Sequence, residues 1–351
     1  MSLDIVLILL IDGLSTGAIY LLAGLGFVLV FSVTRVIFIP SGDIAAFAAL
    51  TLAAFQSRTV PGSIWLVAAM AVLACLAECV TLVRNGSARR LPHAIFFYAV
   101  LPLIPCIAGL AIAKQDVPEI LRIAITMALI LPMGVLIDRL TLRPLATSST
   151  LILFIVAIAV HFLIAGIGLI VFGPEGVRTN PILDGVASLP GGVVVPAQQI
   201  LMMIVALLLS LVFYLFFGRS ITGKALRATA SNRVGARLMG IRPERAAAAA
   251  YLIASGLAAI VGILIAPVTT MYYDSGFMIG LKASVGAIIG GMASYPITAI
   301  GSVFIGILES GASFVASDYK EIIIFSVVIP VLIWRSFAVH RDGDEEIEEL
   351  A

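Results

Sequence analysis

Residues 218–245 read GRSITGKALRATASNRVGARLMGIRPER and hold seven of the 21 Lys and Arg residues in the chain. Apolar runs long enough to cross a bilayer flank them, Gln199 to Phe217 on one side and Ala246 to Val268 on the other. Lys and Arg are retained in the cytoplasm during insertion, so this loop lies there and sets the sense of the spans around it. Within it, Leu226, Ala230, Val234 and Leu238 recur at helical spacing with Arg227, Arg233 and Arg237 beside them. That period predicts one basic, amphipathic helix from Lys224 to Met239. A membrane protein holding such a helix in the cytoplasm offers it to an anionic lipid surface or to a soluble protein.

The remaining composition agrees with a membrane location. With 61% hydrophobic and 12% charged residues among 351, the chain cannot present a water-soluble surface. The expected fold is an all-α, polytopic transmembrane bundle of about 9–11 spans. Before the loop the apolar runs are Ile5 to Phe31, Val36 to Phe55, Ile64 to Val83, Leu91 to Ala113, Leu121 to Ile137 and Leu151 to Phe172. After it come Phe277 to Ala293, Ile297 to Ala316 and Ile322 to Val339. Gly280, Gly286, Gly290 and Gly291 weaken the first of these as a helix and make it the candidate re-entrant element. The basic connections at Arg35, Arg84 to Arg90 and Arg139 to Arg143 fall on the same side as the loop, giving an outer N-terminus and a cytoplasmic C-terminus. Residues 1–340 thus read as one transmembrane domain with a cytoplasmic loop at 218–245, and residues 341–351 as an acidic cytoplasmic tail.

The first run lacks a basic leader and a small-residue cleavage site, so it reads as a retained span. Net charge is +1, with the cations in the loop and the carboxylates in the tail, which argues against nucleic acid as a partner. Cys75, Cys79 and Cys106 fall in apolar segments without metal or redox spacing and read as reduced packing residues. Gly173 to Gln198 is an outer connection that meets an extracytoplasmic partner or caps the bundle.

Two motifs invite an enzymatic reading. Gly218 to Lys224 satisfies G-x-x-x-x-G-K, but Ala225 stands where a P-loop needs a hydroxyl and a membrane helix replaces the preceding strand, so no nucleotide site is expected. Gly13-Leu14-Ser15-Thr16-Gly17 matches G-x-S-x-G, yet a hydrolase serine needs a strand-to-helix turn, and small residues at this spacing fit a helix-packing face. No catalytic residue, metal ligand or cofactor is assigned. His161 reads as a hydrogen-bonded interior residue, and Asp43 with Asp274 is only a faint echo of an aspartyl protease pair.

Charges inside spans cost roughly 2.5–3.5 kcal/mol each at a helix centre, so they carry more information. Asp12, Asp43, Glu78, Lys282 and Glu309 are the set. Pro40-Ser41-Gly42 precedes Asp43 and breaks the helix, freeing backbone groups that a polar pathway would satisfy. Glu78 is expected to reach toward Arg84, and Lys282 to pair with Glu309.

Several blocks resemble the LivH-type permeases of branched-chain amino acid ABC transporters. Gly13 to Phe27 is similar to the opening of that family, followed by a break that ends in Gly42-Asp43. Leu136 to Leu145 and Phe172-Gly173-Pro174-Glu175 fit its middle, and Gly280 to Ser294 with Gly301 to Glu309 fit its Gly-rich late block. The most specific match is Gly223 to Ala228 running through Ala236 to Ile241, the loop that carries the coupling helix in these permeases.

The resemblance implies a permease subunit in a bacterial-type inner membrane. Its implied partners are a LivM-like permease subunit, two ABC ATPase subunits, an extracytoplasmic solute-binding protein and membrane lipid. It assigns ATPase coupling to Lys224, Arg227, Asn232, Arg233, Gly235, Arg237 and Gly240, and a substrate pathway to Ser15, Thr16, Tyr20, Ser41, Gly42, Asp43 and Glu309. The solute is a branched-chain amino acid or a related small molecule such as urea, an amide or an aromatic acid.

Three departures stand out. Residues 57–119 look like two inserted spans, Phe38-Ile39-Pro40-Ser41 replaces the usual polar Asn-Phe-Ala-His, and Trp334-Arg335-Ser336-Phe337 replaces the closing motif. A proton-coupled secondary transporter using Asp43 or Glu309, and an intramembrane protease, remain the alternatives.

Overall fold

The computed structural model describes residues 3–333 apart from 85, 87–90, 147, 189–192, 328 and 332. The acidic tail and Trp334 to Phe337 lie outside the described residues. Twelve helices follow in order. They are α1 (Leu3–Thr34), α2 (Pro40–Gln56), α3 (Ser63–Arg84), α4 (Leu91–Ile112), α5 (Glu119–Leu145) and α6 (Thr150–Phe172). Then come α7 (Ala197–Arg219), α8 (Ile221–Ser231), α9 (Arg233–Leu238), α10 (Pro243–Ile265), α11 (Ser275–Ile289) and α12 (Tyr295–Val315). A further helical segment occupies 320–327.

Eight of these are long and apolar enough to span a membrane. The expected count of spans included α2 and α11, which have 17 and 15 residues and lie inside the bundle. At 1.5 Å per residue α11 covers only about 22 Å, short of a hydrocarbon core of about 30 Å. Both short helices are shielded from lipid by their neighbours. Of the thirteen residues of α2 from Ile44 to Gln56, ten are buried and hydrophobic, and α2 packs on α10 and α11.

The centre consists of α1, α2, α10, α11 and α12, and it closes through glycines. Gly13 and Gly17 of α1 face the α12 backbone at Ile307 and Val303, where an added Cβ would come within 2.7 and 2.8 Å of the Cα atoms. Gly306 returns the contact against Gly17. Lipid tails give helices no hydrophobic reason to associate, so this close van der Waals approach is what holds them together. The Gly13–Gly17 stretch is therefore a packing face, and the Ser15 hydroxyl donates to the Asp12 carbonyl at 2.8 Å.

Helices α3 and α4 sit outside this centre. In the most apolar stretch of each, 22% of residues are buried, against 67% in α10. Trp65, Leu73, Ile104 and Ile107 point outward and are more than half exposed. The two helices are nevertheless anchored: Glu78 forms an ion pair with Arg139 of α5, not with Arg84 as the sequence suggested. Arg139 also donates to Thr81 at 3.1 Å. Cys75 and Cys79 are free thiols one helical turn apart, and Cys106 is a buried free thiol that donates to the Pro102 carbonyl.

The outer connection caps the bundle. Val177 bridges Met271, Thr179 N–H donates to Ala266, and the Asn180 N–H donates to Gln56 at the end of α2. A two-stranded antiparallel hairpin, β1 (Val186–Ser188) with β2 (Val194–Pro196), leads into α7. At this end Arg58 and Arg122 both pair with Asp116, at 3.0 and 3.2 Å.

Candidate functional site

Helix α1 stops at Thr34, and Arg35 follows with a left-handed φ of 62°. Residues 36–38 run without helical structure into the bundle, and Ile39 turns in the helical region (φ −53°, ψ −40°) before α2 starts at Pro40. Proline is suited to that first position, where its missing N–H would have no helical partner. The sequence suggested freed carbonyls here. In the structure a tight turn uses two of them, with Ser41 N–H donating to Phe38 and Gly42 N–H to Ile39 at 3.1 and 3.2 Å.

The start of α2 lies face to face with the start of α11. A Cβ at Gly42 would overlap the Gly276 carbonyl, and one at Gly276 would overlap Gly42. Just inside, Asp43 is fully buried and both its carboxylate oxygens lie within 2.9 Å of His161 Nδ1 on α6. Phe277 of α11 stacks on the imidazole with ring centroids 4.6 Å apart. Position within the first turn also places the carboxylate at the positive end of the α2 dipole. The Ser41 hydroxyl beside it is buried without a hydrogen-bond partner among the described residues. His161 does what the sequence reading expected of it, but its partner was not foreseen.

A second buried cluster joins α1, α11, α12 and the 320–327 segment. Lys282 Nζ lies 2.5 Å from Glu309 and 3.0 Å from Glu321, and the Tyr20 hydroxyl donates to the other Glu309 oxygen at 2.5 Å. The expected Lys282–Glu309 pair is present, with Glu321 as an additional acceptor. The seven pathway candidates are thus divided. Tyr20 and Glu309 belong to this cluster, Ser41, Gly42 and Asp43 to the other, while Thr16 is half-buried on α1 next to the back-bonded Ser15. No hydrogen bond or ion pair among the described residues links the two clusters.

The basic loop departs from the expected single helix. Asn232 takes an extended conformation (φ −149°, ψ 104°), ends α8, and caps α9 by accepting the Gly235 N–H at 2.8 Å. Ser220 caps α8 in the same way through the Gly223 N–H at 2.9 Å, so the amide of the P-loop-like stretch is already used. Gly240, with φ 82°, ends α9 in the left-handed conformation that glycine adopts without strain.

The break divides the apolar stripe in two. Leu226 is buried against Leu29, Val33, Phe217, Ala246 and Ala250, whereas Val234, Leu238 and Met239 are 71%, 82% and 83% exposed. Lys224, Arg227 and Arg237 are exposed around them, and Arg35 reaches the Ala230 carbonyl from the end of α1. Together these features make a firmly capped, basic, apolar-tipped knuckle fixed to α1 and α10.

A bundle of membrane-length helices with two short helices at its centre and a helical knuckle at one end defines a multi-pass membrane protein. The model of the family described as branched-chain amino acid transport system / permease component matches residues 9–332, and the chain belongs to that family. It is similar to the high-affinity branched-chain amino acid transport system permease protein BraD of Pseudomonas aeruginosa, with 30% identity over 227 residues, 62% of this chain and 72% of BraD. It is also similar to the permease protein LivH of Escherichia coli, with 30% identity over 205 residues, 56% of this chain and 66% of LivH. LivH of Salmonella typhimurium gives 29% over the same length and shares. No solved structure matches. The chain is a multi-pass inner-membrane transport component, and the family is one of permeases, not of catalytic subunits.

Proposed function

We propose that this chain is one half of the permease of an ATP-driven importer for branched-chain amino acids or a related small solute. Its partners are a LivM-like permease subunit, two ATPase subunits and an extracytoplasmic solute-binding protein, which fits the transport systems named for BraD and LivH. The observation that carries this reading is the knuckle itself. A chain whose exposed Val234, Leu238 and Met239 sit on a capped basic helix at the cytoplasmic end presents a surface for a soluble subunit. Lys224, Arg227, Asn232, Arg233, Gly235, Arg237 and Gly240 supply its charge and its caps.

The packing gives a route for the motion. A push on α9 and α8 reaches α1 and α10 through Leu226, and α10 meets α2 where Gly262 lies against the Ala45 carbonyl. Helix α2 then carries Asp43, the group we assign to the pathway together with Ser41 and Gly42. With Asp43 fully buried on His161, this conformation is closed at that point. Helices 57–119 stand outside the route, as peripheral additions to a single transmembrane domain.

The test is a double substitution, Arg233→Glu with Gly235→Glu, in the chain expressed with its partner subunits. We expect normal membrane insertion with loss of solute-stimulated ATP hydrolysis and of uptake. Unchanged hydrolysis and uptake would remove the knuckle from the coupling path. Recovery of a transport-active chain without any bound ATPase would favour a proton-coupled secondary transporter instead.

A further inference from the structure

Between the added helices and the start of α10 lies a cavity of about 760 Å³ at the basic end of the bundle. Leu82 of α3, Phe97 and Leu101 of α4, Leu136 of α5 and Leu252 of α10 form apolar walls. Phe97, Leu101 and Leu252 remain 50%, 47% and 39% exposed, so the walls face outward as well as inward. The π-helical turn at Phe96–Val100 brings the Tyr98 hydroxyl to Arg143, which donates to it at 3.0 Å.

The charges around the cavity do not cancel. Glu78 is held by Arg139 and Glu244 by Arg237, while Arg143 is held by Asp138 at 3.0 Å as well as by Tyr98. Arg242 and Arg245 also line the cavity, are exposed, and have no carboxylate partner among the described residues. At the outer end of the same bundle Arg58 and Arg122 are both paired. An apolar slot with two uncompensated guanidinium groups on the cytoplasmic side has the chemistry of a site for an anionic amphiphile.

We propose that this cavity binds an anionic membrane phospholipid, with Arg242 and Arg245 on its phosphodiester and an acyl chain along Leu82, Phe97, Leu101 and Leu252. Most of the acyl wall comes from α3 and α4, so the site belongs to the added helices. The lipid wedges them against the first turn of α10. The assignment concerns binding alone and stands or falls independently of the coupling reading.

The experiment uses the full chain, purified in neutral detergent and offered phosphatidylglycerol or phosphatidylcholine with identical acyl chains, with retained lipid counted by native mass spectrometry. Wild type should retain phosphatidylglycerol preferentially. Arg242→Gln with Arg245→Gln should lower that retention about thirtyfold, on the scale of the attraction of two cations near a membrane surface. Leu101→Trp, which fills the slot and leaves both arginines, should lower it as well while the thermal transition stays in place, which keeps the test valid if the double variant folds poorly. Excess inorganic phosphate should leave the lipid bound. Equal retention of the two lipids, or unchanged retention in both variants, would overturn the proposal. Displacement by inorganic phosphate would overturn the lipid assignment in favour of a free-anion site.

Discussion

Helices α1 and α12 meet backbone to backbone, whereas α3 and α4 meet the bundle through side chains. In the first contact Gly13, Gly17 and Gly306 leave no room for a single methyl group. In the second, a Cβ on Gly109 of α4 would meet the ring end of Phe55 on α2 at 3.4 Å and, within the pair, the end of the Ile64 side chain on α3 at 3.0 Å. Buried charge follows the same division. Asp43 ties central α2 to His161 of α6, and Lys282 ties α11 to α12 and the 320–327 segment through Glu309 and Glu321, while α3 and α4 are tied on by Glu78 with Arg139 at their edge. Where helices are pinned at van der Waals distance and by desolvated charge, one cannot move without its neighbour. That is the property a bundle needs if a push at one end is to open a path in the middle. Helices α3 and α4 have no such constraint.

Overfilling the central contact should have the largest effect. Gly262→Leu puts a side chain into the Ala45 carbonyl, and no rotamer avoids it because the clash begins at Cβ. We expect loss of monodisperse protein in detergent, read by size-exclusion chromatography. Gly166→Leu, on α6 where a Cβ meets nothing within 4 Å, should elute as wild type. Equal behaviour of the two variants would show that close packing does not set the architecture.

Lys282→Met comes next. It strands Glu309 and Glu321 around an apolar chain, and unpairing a buried ion of this kind costs about 3–5 kcal/mol. The thermal transition should fall well below that of wild type, and adding Glu309→Gln should recover part of the loss. No recovery would mean that Lys282 acts through packing alone.

Asp43 separates function from stability. Asp43→Asn keeps the shape and one acceptor for His161, so assembly should survive while transport falls, and Asp43→Leu should reduce transport further. Normal uptake kinetics in both variants, at normal expression, would make the carboxylate a packing feature and leave the pathway elsewhere.

What the sequence reveals divides along the same line. Spans and the basic loop are legible because each is local: an apolar run, a cluster of arginines. Lys282 with Glu309 is legible too, as an acid and a base in successive late spans. The Asp43–His161 pair, separated by 118 residues, is not, because nothing in either neighbourhood encodes which spans touch. The same holds for Tyr20 and Glu309, 289 residues apart. The break at Asn232 was readable in principle, since Asn three residues before Gly235 is a capping position. It was hidden because Leu226, Ala230, Val234 and Leu238 keep a helical period across it, and periodicity does not register a change of axis. Likewise Glu78 reaches Arg139 instead of Arg84 because α5, distant in sequence, lies beside α3 in the fold.

The smallest expected effect tests the comparison by its sign. Gly109 lies within α4, and replacing a helical glycine by alanine gains about 1 kcal/mol from restricted backbone freedom. Against this stands the contact with Ile64 Cδ1, a terminal methyl that moves by rotation of its own side chain. Backbone entropy should therefore win, and Gly109→Ala should raise the thermal transition slightly with transport unchanged. Gly17→Ala offers the same gain on α1, but its new methyl meets the Val303 Cα and carbonyl, which are held by the α12 helix and cannot turn aside. Overpacking of that kind costs about 1–3 kcal/mol, more than the propensity returns, so the same substitution should lower the transition. Opposite signs at Gly109 and Gly17 would locate the boundary between the constrained centre and the peripheral helices α3 and α4. A destabilised Gly109→Ala would instead place α4 inside the constrained part, and its helices would then belong to the moving bundle.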